Sequence, residues 1–168
     1  MILTKDELIS SLENDVQILS HLISKVEPGM LDYRPTPKQR SMLELLQYLV
    51  IVGPVQLRTI QSGTFDMDSF SKRWQAEDAK AKGMGLAEAA DAIGKQLSLI
   101  REVVNSLSDS DLREEMEMFG SKGTRGAWLV NMAHSHYVAY RMQLFLYLKS
   151  CGREELSTMD LWAGRSAQ

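Results

Sequence analysis

Apolar residues recur at steps of three and four along four long stretches of the chain, the spacing that places residues on one face of an α-helix. The third stretch shows it most regularly, with apolar residues at Leu86, Ala90, Ile93, Leu97, Ile100, Val104 and Leu107. Stripes of this kind are typical of helices that pack in a bundle. The pattern therefore predicts an all-α fold, an antiparallel four-helix bundle with short extra helices in its connections. The predicted helices run from about Thr4 to Val26, from Ser41 to about Ser62, from about Leu86 to Leu107 and from about Gly126 to Cys151.

Two of these helices begin with a recognisable capping pattern. Thr4 precedes Glu7 by three residues, and Ser41 precedes Glu44 by the same spacing. In such a capping box the hydroxyl accepts a hydrogen bond from an N–H of the first turn, and the carboxylate accepts one from the N–H of the cap residue. The pattern predicts helix starts at Thr4 and Ser41. It also favours capping over general-base chemistry for the Glu44 carboxylate.

Pro54 lies inside the second predicted helix. Because proline lacks a backbone N–H, it leaves the Val50 carbonyl without its helical partner and predicts a kink between Val50 and Pro54. Two interpretations are open: the bend follows the core, or the freed carbonyl opens into a pocket.

The connections between the long helices carry smaller predicted elements. The stretch from Asp66 to Lys82 is predicted to be a short helix. Alternating polar and apolar residues over Glu115–Met118, followed by a turn at Gly120–Gly123, predict a short extended excursion. The tail, residues 153–168, holds several apolar residues including Trp162, so we expect it to fold back on the bundle.

Composition fits one globular domain spanning residues 1–168, with 44% hydrophobic and 24% charged residues and a net charge of −3. That charge lacks the basic excess typical of nucleic-acid binders. The single cysteine, Cys151, excludes an internal disulfide and a cysteine-rich zinc site. The N-terminus lacks the features of a signal peptide, and the most apolar stretch, Leu45–Leu57, is shorter than the roughly 20 residues of a membrane span. We therefore expect a cytoplasmic protein with neither a membrane nor a nucleic acid as partner.

The three histidines are candidates for metal binding or proton transfer. His134 and His136 are two positions apart, which is about 200° around a helix, so they cannot bind the same metal ion. His136 falls on the predicted inward stripe of helix four, and Tyr140 follows it by one turn. His134 and His21 fall off the inward stripes and are expected at the surface.

Two regions of the sequence resemble the DinB/YfiT-like superfamily of four-helix bundles. At the entry to helix two these are Tyr33-Arg34-Pro35-x-Pro37, Arg40-Ser41 and the segment Leu43–Leu49. In helix four, the segment His136–Gln143 is similar to the superfamily's signature His-x-x-x-His-Arg-Gly-Gln, and Leu148-Lys149-x-x-Gly152 fits its helix-four ending. The resemblance covers the chain from Met1 to Gly152 in element order.

In this superfamily one histidine of helix two and two of helix four bind a divalent metal, and the resemblance places these positions on Tyr48, His136 and Tyr140. A catalytic zinc typically needs three protein ligands, and neutral tyrosine, with an ordinary pKa of about 10, is a poor ligand. The resemblance thus implies a degenerate metal site, in which these three residues line a pocket and no cofactor is bound. The alternative is a divalent metal such as Zn or Ni, held weakly by His136.

Two functions are compatible with the resemblance. The first is a non-catalytic or small-ligand-binding protein that uses the pocket around Tyr48. Superfamily members include thiol transferases and hydrolase-like proteins, so the second is a divalent-metal-dependent thiol transferase or hydrolase with an atypical site. Such a site would recruit Glu44 or Gln143. Arg141 is a further accessory candidate, because it lies just off the inward stripe as Gln143 does.

Helix four carries more apolar surface than one buried face requires, since a face is only about 100° wide. Superfamily members are often dimers, and together with this surplus the resemblance predicts a homodimer built on a helix face. The alternative is a monomer in which the connections cover the surplus. The surplus residues are Trp128, Val130, Met132, Tyr137, Val138, Met142, Phe145, Leu146 and Leu148.

Overall fold

A computed structural model of the chain describes residues 3–166 and confirms the all-α fold class. The strands in the described residues form one short hairpin, β1 (Glu115–Met118) and β2 (Ser121–Thr124). Single 3₁₀ turns lie at Pro28–Met30 and Asp111–Arg113. The α-helices are α1 (Lys5–Ile23), α2 (Met42–Gln61), α3 (Met67–Ala81), α4 (Leu86–Gly94), α5 (Gln96–Ser106), α6 (Arg125–Trp128), α7 (Ser135–Ser150) and α8 (Thr158–Ala163).

The helices α1 and α2 form the centre of the packing. Helix α1 contacts α4, α5, α7 and α8, and α2 contacts α3, α4, α5 and α7. The side chains between them are mostly leucine, isoleucine and valine, so the core is an ordinary apolar one. Fully buried examples are Leu12, Leu19, Leu45, Leu49 and Ile93.

The capping residues begin both helices as predicted. The Glu7 carboxylate accepts from the Thr4 N–H at 2.7 Å, and the Glu44 carboxylate accepts from the Ser41 N–H at 2.8 Å. The predicted third helix is interrupted at Lys95, which separates α4 from α5. Gly94 precedes this break, and glycine is a poor helix former.

Helix α2 continues through Pro54 without a break. In the preceding turn, the buried side chain of Gln96 donates from Nε2 to the Leu49 carbonyl at 2.9 Å, and its Oε1 accepts from the Tyr137 hydroxyl at 2.5 Å. Gly53 lies directly against this pair: a Cβ atom there would be 2.0 Å from the Tyr137 hydroxyl oxygen. The buried side chains of Gln96 in α5 and Tyr137 in α7 therefore form a hydrogen-bonded chain that ends on the α2 backbone, at the Leu49 carbonyl.

The predicted extended excursion is the hairpin, although its turn is Phe119-Gly120 and not the predicted Gly120–Gly123. Both turn residues have positive φ, 51° and 76°, as a type I′ hairpin turn requires. A bulky residue rarely adopts this conformation. The Phe119 ring packs on Phe65, with centroids 4.5 Å apart, and on Phe70, at 5.6 Å, so aromatic packing holds the turn against the α2–α3 region.

The C-terminal helix α8 packs against α1 and α7. Leu156 and Leu161 are buried, whereas Trp162 stays 59% exposed. The His21 ring nitrogen Nε2 lies 2.9 Å from the Asp160 carboxylate and ties α8 to α1.

Helix α2 is long and apolar enough to cross a membrane by length and composition alone. However, 67% of its apolar window is buried inside the protein. The core helix of a soluble protein passes the same test, so this is weak evidence for a membrane span.

Candidate functional site

The fourth predicted helix contains a π-helical turn that changes which residues face the core. This turn spans Leu129–His134, between α6 and α7. A π turn bonds residue i to i+5 and so alters the register of the helix beyond it. The first two buried residues beyond Ala133 are Tyr137 and Arg141, four apart, while His136 and Tyr140 are half-buried on the flank. The predicted inward stripe is therefore wrong at His136 and Tyr140.

The three residues singled out by the resemblance form a connected row of rings. The Tyr48 and Tyr140 ring centroids are 4.8 Å apart, and those of Tyr140 and His136 are 5.9 Å apart. The His136 Nδ1 lies 2.5 Å from the Met132 carbonyl, which can only accept. His136 therefore carries a hydrogen on Nδ1, and within residues 3–166 its Nε2 makes no hydrogen bond.

Tyr48 also forms one wall of an open groove of about 320 Å³ between α2 and α3. The Trp74 ring lies 5.7 Å from the Tyr48 ring, and the Arg40 guanidinium stacks over Tyr48 at 3.9 Å from its centroid. Burial and a hydrogen bond with Tyr140 raise the pKa of Tyr48 well above its ordinary value. Tyr48 is therefore a neutral phenol at physiological pH. The groove is lined by Arg40, Glu44, Gln47, Tyr48, Ile51, Trp74, Asp78 and Lys82.

No family model and no curated protein matches the sequence. Among solved structures, the chain is similar to the crystal structure of a DinB-like protein, YjoA from Bacillus subtilis. The two share 19% sequence identity with a TM-score of 0.67, over 89% of this chain and 94% of that one. The chain has a DinB-like fold. At this identity, the similarity shows the fold alone.

The donor atoms at the three positions do not fit the metal site that the DinB-like resemblance implies. They are one imidazole nitrogen, Nε2 of His136, and the phenol oxygens of Tyr48 and Tyr140. Between residues 3 and 166, no three side chains of His, Cys, Asp or Glu lie close enough together to share an ion. One imidazole supplies too few ligands for a zinc centre, which takes three protein ligands in catalytic sites.

The structure brings one of the three accessory candidates to this site. Glu44 lines the groove beside Tyr48, where it caps α2 and pairs with Arg34 at 3.2 Å. Gln143 donates instead to the Tyr147 hydroxyl at 2.7 Å, beside a different groove. Arg141 is buried and bonded to α1, so it is not a surface residue and does not reach Tyr48.

A buried charge cluster was missed by the sequence reasoning. The Asp15 carboxylate, 1% exposed, accepts from Arg141 at 2.6 Å and from His134 Nδ1 at 2.5 Å. Burial raises the pKa of Asp15 above its ordinary value, and the charges of His134 and Arg141 offset this only in part. The His134 side chain remains 35% exposed, so it lies at the surface as expected while its Nδ1 bonds to the buried Asp15. The His21 side chain is only 16% exposed, so it is more covered than expected.

One signal in the sequence points to this cluster. Asp15 interrupts the apolar stripe of α1, lying three residues after Leu12 and four before Leu19. An acidic residue on a buried stripe requires a buried partner. His134 and Arg141 are seven residues apart, so two turns of helix bring both to the same face.

Proposed function

We propose that this DinB-like protein binds a small organic ligand in the groove beside Tyr48, without a metal and without catalysing a reaction. The observation that carries the proposal is the Arg40–Tyr48–Trp74 arrangement, two aromatic rings and a guanidinium lining an open groove. Binding pockets typically combine apolar and aromatic walls with a few placed polar groups. The groove volume also lies within the range of small-molecule sites.

The groups around the groove are poorly suited to acid–base catalysis. A hydrogen bond from the Ser41 N–H and the nearby Arg34 outweigh the effect of burial and lower the pKa of Glu44. A carboxylate with a lowered pKa is a weak general base at neutral pH. Tyr48, whose pKa is raised, does not ionise in this range and supplies no phenolate. These features favour the binding function over the thiol-transferase or hydrolase alternative.

Binding of 2-naphthol, a neutral planar aromatic probe, tests the proposal by saturation-transfer NMR. We expect the wild type to bind the probe and the Trp74→Leu variant to lose most of the binding. Trp162→Leu is the matched control, because Trp162 is an exposed tryptophan outside the groove. Equal binding by all three proteins, or no binding to the wild type, would contradict the proposed function.

We further propose that the protein forms a homodimer through α7. The elements of the chain cover most of the predicted apolar surplus: Tyr137 and Leu148 are buried, and Phe145 is half-buried. Met142 and Leu146 remain 39% and 53% exposed. These two lie on one face of α7, which a two-fold axis would bring against the same face of a second copy.

A further inference from the structure

Some of the charged side chains that line the groove form ion pairs within the protein, and one does not. The Glu44 carboxylate accepts from Arg34 through one oxygen and from the Ser41 N–H through the other. Asp78 pairs with Lys82 at 2.6 Å. Both carboxylates of the groove are therefore occupied, and so is one of its two cations.

Arg40 is the cation that remains. Within residues 3–166 its guanidinium has no carboxylate within 4.0 Å and donates no hydrogen bond to the protein. Its backbone is fixed, because the Arg40 carbonyl accepts from the Tyr147 hydroxyl at 2.9 Å. The Arg40 Cζ lies 3.9 Å from the Tyr48 ring centroid, and a cation–π contact of this kind requires no hydrogen bond from the guanidinium N–H donors.

We propose that the ligand of this groove is a planar aromatic carboxylate; this rests on the proposed function and adds its chemical class. The ligand ring would lie against Trp74, and its carboxylate would accept two parallel hydrogen bonds from Arg40, the geometry in which a guanidinium binds carboxylates best. A cationic ligand is disfavoured, because Glu44 and Asp78 are already paired. A neutral ligand would gain no ion pair with Arg40.

Three probes of equal ring size separate these possibilities: 2-naphthoate, 2-naphthamide and 2-naphthylmethylamine. Their dissociation constants are measured by isothermal titration calorimetry at low salt. We expect 2-naphthoate to bind about tenfold more tightly than the amide, the size of effect that one charge-assisted hydrogen-bonded pair supplies. The amine is expected to bind most weakly.

Arg40→Gln is the decisive variant, and Lys38→Gln is its matched control in the same exposed loop. We expect Arg40→Gln to bind the acid and the amide equally, while Lys38→Gln keeps the preference for the acid. Thermal unfolding of both variants checks that the fold is intact, and the exposed position of both side chains favours this.

The possible results separate this inference from the function on which it rests. If the amide or the amine binds the wild type as well as the acid does, the carboxylate proposal is overturned and the groove remains a ligand site. A preference for the acid that survives in Arg40→Gln removes Arg40 from recognition and also overturns it. If no probe binds, 2-naphthol included, the proposed function fails as well.

Discussion

Gly53 marks the closest approach of α2 to the buried side chains of Tyr137 and Gln96. We expect Gly53→Ala to destabilise the protein, because its Cβ would lie 2.0 Å from the Tyr137 hydroxyl oxygen and 2.6 Å from Gln96 Oε1. Overpacking of this kind costs about 1–3 kcal/mol, and displacement of the hydrogen-bonded pair adds to the loss. Urea unfolding followed by circular dichroism measures the change in free energy of unfolding.

Gly94→Ala is the matched control for this prediction. A Cβ at Gly94 meets nothing within 4 Å, so this variant should be as stable as the wild type or slightly more stable. Equal stability of the Gly53 and Gly94 variants would show that the Tyr137–Gln96 network does not require the glycine.

Among the helices, α8 is held against α1 in part by the Asp160 carboxylate. Burial would raise the pKa of Asp160, but hydrogen bonds from His21, Ser157 and Ser166 outweigh it and lower the pKa to about 2. This is below the value of about 3.9 for an unfolded aspartate. The ionised carboxylate therefore stabilises the docked helix above pH 4, and this contribution is lost as the pH falls toward 2.

Hydrogen exchange measures that loss. Between pH 5 and pH 2.5, after correction for intrinsic rates, protection of the α8 amides should fall more than that of the α5 amides. Asp160→Asn should have weakened α8 protection that no longer varies with pH. A parallel response of α8 and α5 in the wild type would contradict the assigned role of Asp160.

The helices differ in how much of their placement could be predicted from sequence. The starts of α1 and α2 were predictable because local capping chemistry determines them. The register of the fourth helix was not, because apolar residues surround it and its periodicity does not favour one face. The buried side of α7 depends on the π turn at Leu129–His134, which periodicity does not reveal.

Only part of the candidate site could be predicted from the sequence. The resemblance singled out Tyr48, Tyr140 and His136, and the structure places their rings in one row. Arg40 and Trp74 were not identified as site residues, because they reach Tyr48 from a loop and from α3. Only the tertiary packing of that loop and of α3 against α2 brings Arg40, Trp74 and Tyr48 together.

At the scale of the whole molecule, the proposed dimer depends on the exposed face of α7. Wild-type protein should sediment with the mass of two chains, and the double variant Met142→Glu/Leu146→Glu with the mass of one. The interface should bury about 1,000 Å² or more in total. The double variant would place two negative charges on each side of that interface, and their repulsion and burial should separate the two chains. Met67→Glu on α3 is the control, because Met67 is 52% exposed. A wild-type mass of one chain at every concentration would rule out the dimer.

We propose that Tyr48 serves as one wall of a ligand groove, and that the row of Tyr48, Tyr140 and His136 holds no metal at the position of the metal site implied by the resemblance. The most direct measurement is the zinc content of protein equilibrated with excess zinc, gel-filtered and analysed by mass spectrometry. It compares the wild type, His136→Ala and the double variant Tyr48→His/Tyr140→His. We predict no stoichiometric zinc in the first two, and about one zinc per chain in the third, which has three imidazoles. Stoichiometric zinc in the wild type that His136→Ala loses would show that this site binds a metal and would overturn the proposed metal-free groove.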